Sequence, residues 1–131
     1  MLNAMTDEEY MQLALQEARA AAVIGEIPIG AVLVVEGEVV ARAHNMRETW
    51  NDATAHAEVI VIREACKKLG CWRLEGAVLY VTVEPCPMCS GAIVNSRIDK
   101  VVYGCPDAKA GGAESIFNII SNPNLNHTAQ V

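Results

Sequence analysis

The sequence predicts an α/β fold: a three-layer αβα sandwich around a central mixed five-stranded sheet. Three observations carry that prediction. Stretches with helical apolar spacing alternate along the chain with short β-rich runs, which puts helices on both faces of a sheet. Two early β-rich runs flank a short glycine-containing connection, a hairpin that makes the sheet mixed rather than purely parallel. The chain has 131 residues, 52% of them hydrophobic, enough for one core and no second one. A single domain spanning residues 1–131 is therefore expected.

Thr6-Asp7-Glu8-Glu9 reads as a capping box, followed by apolar residues at helical spacing from Tyr10 to Ala22 and a stop at Gly25. Gly30–Val35 and Val39–Ala43 flank Glu36-Gly37-Glu38 as the hairpin. A polar loop from Met46 to Asp52 follows, and Asn45 at its start is either a turn former or a substrate-touching group at a strand end. Thr54 can cap a second, largely buried helix from Ala55 to about Leu69, stopped by Gly70. Ala77–Val83 is the third strand, and a third helix runs from Pro85 to about Ser96, with Pro87 tolerated in its first turn. Val101–Cys105 is the fourth strand, Pro106–Gly112 a loop, Glu114–Ile120 a short helix and Asn122-Pro123-Asn124 a turn. The tail, Leu125–Val131, is long enough for a short edge strand, the fifth.

No apolar run approaches the ~20 residues that span a bilayer. The start, Met1 to Asp7, lacks the basic flank and apolar segment of a secretory signal, so a cytoplasmic location is expected. Five cysteines is an odd number, and without a secretory signal it points to metal ligation or chemistry rather than a disulfide framework. The net charge of −6 argues against a generic nucleic-acid binder. The acidic surplus nevertheless lies mostly before residue 60, and Arg63, Lys67, Lys68, Arg73, Arg97, Lys100 and Lys109 leave room for a local basic strip.

The chemistry concentrates in Pro85-Cys86-Pro87-Met88-Cys89 and His56-Ala57-Glu58. Two cysteines three residues apart in the first turn of a helix share one face, and the helix N-terminus favours their thiolates. His56 and Glu58, at the start of the preceding helix, reach the same place if a metal lies off the helix end. Ligation by His56, Cys86 and Cys89 would leave the fourth position of a tetrahedral Zn2+ open for water, as in catalytic rather than structural sites. Two thiolates and a neutral His make the complex formally uncharged, so the metal acidifies water less than an all-His site does, and Glu58 is placed to act as the base. Two other readings stay open at this point. Cys66 and Cys71 with Cys86 and Cys89 have a spacing near that of a closed zinc ribbon, and Cys86-x-x-Cys89 alone suits thioredoxin-like redox chemistry.

His-x-Glu followed by Pro-Cys-x-x-Cys resembles the signature of zinc nucleobase deaminases. The segments Glu26–Val34, Ala53–Glu58, Leu79–Cys89 and Val102–Gly111, with Asn126-His127, resemble the bacterial tRNA adenosine deaminases of the cytidine deaminase-like superfamily over nearly the whole chain. That resemblance implies a cytidine deaminase-like fold, one zinc per chain and conversion of the wobble adenosine of a tRNA anticodon to inosine, with release of ammonia. It further implies that Asn45 hydrogen-bonds the base and that Ile27, Pro28 and Val83 line its pocket. The backbone around Ala57 and Glu84 is implied to flank the reacting centre, Asp107 and Lys109 to lie in an RNA-facing loop, and Asn126 and His127 in an RNA-facing tail. His127 is otherwise a solvated tail residue. The implied partners are a tRNA anticodon stem-loop and a second copy of the chain in a homodimer. Relatives usually continue into a C-terminal helix and carry Arg or Lys near Pro106, whereas this sequence stops at Val131 with a less basic loop. The alternative is therefore a deaminase of a free base or nucleoside such as guanine, cytosine or adenosine.

Overall fold

The computed structural model describes residues 5–131. The first four residues, on which the expectation of no secretory signal partly rests, lie outside the described residues. The elements run α1 (Asp7–Val23), β1 (Gly30–Val35), β2 (Glu38–His44), α2 (Ala57–Leu69), β3 (Ala77–Val83), α3 (Pro87–Asn95) and β4 (Lys100–Cys105). The sheet order is β2-β1-β3-β4, with β1 antiparallel to both neighbours and β3 parallel to β4. Among the described residues no helix is long and apolar enough to cross a membrane.

The layers follow from strand alternation. Ala31 and Leu33 of β1 join Leu79 and Val81 of β3 in a core with Val61 and Ala65 of α2 and Ile93 of α3. Val32 and Val34 point the other way, onto Tyr10 and Ala14 of α1. Both faces of β1 are buried, which is why Gly30–Val35 is continuously apolar instead of alternating. The capping box forms as read: Glu9 N donates to Thr6 Oγ1 at 3.2 Å and Thr6 N to Glu9 Oε1 at 2.8 Å.

Among the described residues four strands form, not five. The tail touches β4 at a single parallel bridge, Lys100 with Gln130. The amide just before it turns away, Ala129 N donating to Ile120 O at 2.9 Å, so the tail divides its backbone between β4 and the 120 region and builds no ladder. The helix expected over Glu114–Ile120 is replaced by turns for a related reason. The N–H groups of Ala113, Glu114 and Ser115 go to the Glu84 carboxylate, and Ile116 and Phe117 both donate back to Gly111 O. Thr54 does not cap α2: its hydroxyl donates to Asp52 Oδ1, and α2 starts two residues later with His56 at the N-cap. Likewise α3 begins at Pro87, not Pro85, with Cys86 at its N-cap.

The seating of α1 depends on one glycine. A Cβ on Gly30 would stand 2.1 Å from Ala14 O and 2.5 Å from Ala18 N, so the helix backbone rests where a side chain would be. Gly30→Ala is therefore expected to lower the unfolding free energy by roughly 1–3 kcal/mol through overpacking. Denaturant titration of the two proteins checks this, and equal midpoints would contradict the close approach.

Candidate metal centre and active site

His56 and Cys86 are the N-cap residues of α2 and α3, and Cys89 is the third residue of α3. The sheet seats both helices on one face with their N-termini at the same end, where their unpaired N–H groups converge. There the ligand atoms of His56, Cys86 and Cys89 all lie within 4.8 Å of one another. His56 Nδ1 is 3.6 Å from Cys86 Sγ and 3.5 Å from Cys89 Sγ. Bonds of ~2.0 Å to nitrogen and ~2.3 Å to sulfur at tetrahedral angles require about 3.6 Å between such atoms, so His56 stands at the separation from both sulfurs that a shared zinc ion needs. Among the described residues this is the one His/Cys/Asp/Glu group of metal-binding geometry. Cys66 and Cys71 do not join it, which removes the closed-ribbon reading; their sulfurs lie against Trp72 O and Arg73 O.

The environments of the two thiols differ. The Cys89 thiol donates to Cys86, the Cys89 and Met88 N–H groups point at the same sulfur and His56 stands beside it, so Cys86 is pulled down to about 5. Cys89 is held well above the ordinary thiol range by its bond to Cys86 and by burial. Glu58 lies against Cys89, is 3% exposed, and is pushed up to about 7, chiefly by burial. A divalent cation among these groups favours both thiolates and the Glu58 carboxylate.

Asn45 is buried and its Oδ1 accepts the Ala57 N–H at 2.8 Å, while its own N–H donates to Ile29 O. It thus ties the start of α2 to the approach to β1, and its amide Nδ2 makes no hydrogen bond among the described residues. Ile27, at 49% exposure, and Pro28 lie open on that approach, and Val83 is half-buried at the end of β3.

Glu84 is buried, and its side chain was not singled out by the sequence. Its carboxylate accepts the N–H groups of Asp107, Ala113, Glu114 and Ser115, at 2.8–3.1 Å, and the Ser115 hydroxyl. Burial alone would raise its pKa, but the Ser115 hydroxyl and the N–H groups outweigh burial and bring it to about 2. The loop from Asp107 to Ser115 is thereby anchored two residues before Cys86. Within it Asp107 Oδ1 accepts the N–H groups of Lys109 and Ala110, and Lys109 is exposed. Glu26 has a parallel role on the other rim, accepting Glu48 N, Thr49 N and the Thr49 hydroxyl. A lone acid in an otherwise apolar approach to β1 was the available signal for it.

The tail residues are not brought to the cluster. His127 Nε2 hydrogen-bonds Ile98 O at 2.7 Å, at the start of β4, while the metal ligands lie at the far ends of β3 and β4, a strand length on the order of 20 Å away. Asn126 is exposed beside it.

Two outcomes are expected. Wild type binds about one zinc per chain and Cys86→Ser binds much less, measured by metal analysis after dialysis. Because Glu84 has a folded-state pKa near 2 against an ordinary 4.5, its contribution to stability is complete above about 4.5 and lost as pH falls toward 2. The stability difference between wild type and Glu84→Gln, roughly 1–3 kcal/mol at neutral pH, should therefore shrink across that window. A pH-independent difference in unfolding free energy would show that the Glu84 charge is not what holds the loop.

Comparison with known proteins agrees with this geometry. The cytidine and deoxycytidylate deaminase zinc-binding region matches residues 4–105. The tRNA-specific adenosine deaminase of Bacillus subtilis is 58% identical over 125 residues, covering 95% of this chain and 78% of the relative. That of Aquifex aeolicus is 51% identical, covering 94% and 82%. A solved structure from a study of A-to-I editing by tRNA:A34 deaminases superposes with a TM-score of 0.91 at 51% identity, covering 95% of this chain and 90% of that one. A Bacillus subtilis guanine deaminase superposes with a TM-score of 0.76 at 38% identity, covering 97% and 84%. The chain belongs to the zinc-binding cytidine and deoxycytidylate deaminase family, and within it to the tRNA-specific adenosine deaminases.

Proposed function

We propose that this chain converts the wobble adenosine of a tRNA anticodon to inosine, releasing ammonia. The observation that carries the reading is the buried Glu58 carboxylate held against a His56–Cys86–Cys89 trio of zinc geometry. When bound, zinc supplies Lewis-acid activation of water. Glu58 is placed to pass one proton of the attacking water to the adenine ring nitrogen, where it stays, and the second, from the new C6 hydroxyl, to the departing amine, so that water and adenosine become inosine and ammonia. Asn45 orients the base: its Oδ1 is committed to Ala57, which leaves Nδ2 to donate to a ring nitrogen. Ile27, Pro28 and Val83 offer the apolar wall of the base pocket, and the backbone at Ala57 and Glu84 borders the reacting carbon. Asp107 and Lys109 sit on an anchored loop at the rim, suited to the nucleotides on either side.

A homodimer accounts for the distant tail. Asn126 and His127 stand a strand length from the metal of their own chain, so they serve an RNA only where it extends that far or where a second copy presents them. We place the protein in the cytoplasm, with its substrate. A free base is the second reading, favoured by the guanine deaminase likeness. The identity and superposition with the adenosine deaminases are both higher, which decides between the two.

On an anticodon stem-loop, Glu58→Gln should lower the rate of inosine formation by at least ~10²-fold while keeping about one zinc per chain. Near-normal turnover by that variant would exclude Glu58 as the proton carrier. Wild-type activity should fall steeply as salt rises, while free guanine and cytosine release no ammonia. Ammonia from guanine with no inosine in the RNA would instead establish the free-base reading.

A further inference from the structure

Two adjoining cavities, of about 440 and 230 Å³, run along the outer side of α2, and neither includes a metal ligand or Glu58. They share Trp50, Ile60 and Glu64 and so form one groove divided at Trp50. The indole is 54% exposed, yet the loop carrying it is firmly built. Glu26 holds the N–H groups of Glu48 and Thr49, at 3.1 and 2.6 Å. Trp50 N donates to Met46 O at 2.8 Å, and Asp52 N to Arg47 O at 3.0 Å. A large ring presented to water by so closely bonded a loop is preorganised for contact.

Charge identifies the kind of contact. Arg63 and Lys67, one helical turn apart on α2, line the smaller cavity, and Arg42 and Lys68 line the larger. Of the three lining carboxylates, Glu17 is paired with Arg42 and His44, each at 2.7 Å, while Asp52 accepts the N–H and hydroxyl of Thr54 and keeps its negative charge. Glu64 alone has no ion-pair or hydrogen-bond partner among the described residues. On a chain of net charge −6, the cations outside the Glu17 pair, Arg63, Lys67 and Lys68, still outnumber the remaining acids, Asp52 and Glu64. An aromatic face flanked by cations is the chemistry of single-stranded nucleic acid, with bases stacking on the ring and phosphates meeting the cations. The groove and the candidate active site draw on adjoining segments of the chain. Thr54 and Ala55 line the groove immediately before His56, and Asn45 begins the loop that carries Trp50.

We propose that this groove holds the RNA strand beside the edited nucleotide, with a flanking base stacked on Trp50 and its phosphates met by Arg63 and Lys67. The proposal rests on RNA being the substrate. The chain has two tryptophans, so Trp72→Phe leaves Trp50 as the sole indole reporter. The probe is an anticodon stem-loop whose target purine lacks the 6-amino group, so that binding is read without chemistry. Trp50 emission should fall on titration and recover with salt, and Trp50→Phe, reporting from Trp72, should change little. On an editable hairpin, Trp50→Ala should raise KM about ten- to hundredfold at unchanged zinc content, and Trp50→Phe should recover most of the loss. Quenching that follows Trp72, an unaltered KM in Trp50→Ala, or Trp50 emission that tracks protein concentration instead of RNA would each overturn the proposal. Absence of inosine with wild type would reject the substrate reading separately, because the fluorescence titration does not depend on turnover.

Discussion

Two helix N-termini meet at one end of the sheet, and the chemistry of this protein depends on that meeting. A helix start has N–H groups without intrahelical partners and a partial positive charge. Bringing two such starts together favours whatever anionic groups lie between them. Here those groups are two thiols and a carboxylate, supplied by the first turns themselves. Parallel pairing of β3 with β4 and the crossover through α3 place Cys86 and Cys89, and the seating of α2 over β1 and β2 places His56. Asn45 fastens the arrangement by accepting the first free N–H of α2 from a strand-end loop.

Three buried glutamates show how environment assigns different tasks to one side chain. Glu58 is enclosed by apolar surroundings and thiols, with few donors, and its carboxyl is pushed up toward neutrality by burial. Glu84 is as deeply buried, yet it receives four N–H groups and a hydroxyl, which keep it ionised. Glu26 receives two N–H groups and a hydroxyl, and these outweigh its burial and lower its pKa. Donor supply separates the three, because desolvation acts on all of them. Glu58 is left able to exchange a proton, while Glu26 and Glu84 are rigid posts for the two loops that rim the site.

Those posts bear on how an acidic chain can meet RNA. Overall charge describes solubility and long-range attraction, whereas contact is decided locally. In the groove along α2, pairing with Arg42 offsets Glu17, and Arg63, Lys67 and Lys68 outnumber Asp52 and Glu64 around a fixed indole. A fixed rim lowers the ordering entropy of binding, so each contact contributes more to affinity than it would from a mobile loop.

Local sequence rules made the His56–Cys86–Cys89 group with Glu58 beside it, the capping box, the hairpin and the three-layer architecture legible, because spacing and periodicity act over a few residues. The expected fifth strand and Glu114–Ile120 helix do not form, for one reason. Backbone N–H groups of those segments are taken by distant acceptors, Glu84 Oε2 and Ile120 O, which no local pattern reveals. Helix starts shifted by two residues because His56 and Cys86 take the N-caps, making the ligands themselves the boundary. By itself the sequence determined which groups could hold a metal and move a proton. Only the tertiary structure decided that Cys66 and Cys71 stand apart from them, that Glu84 braces a loop and that Asn126 and His127 lie a strand length away. Those outcomes depend on which remote donors and acceptors the packed sheet brings within hydrogen-bonding distance.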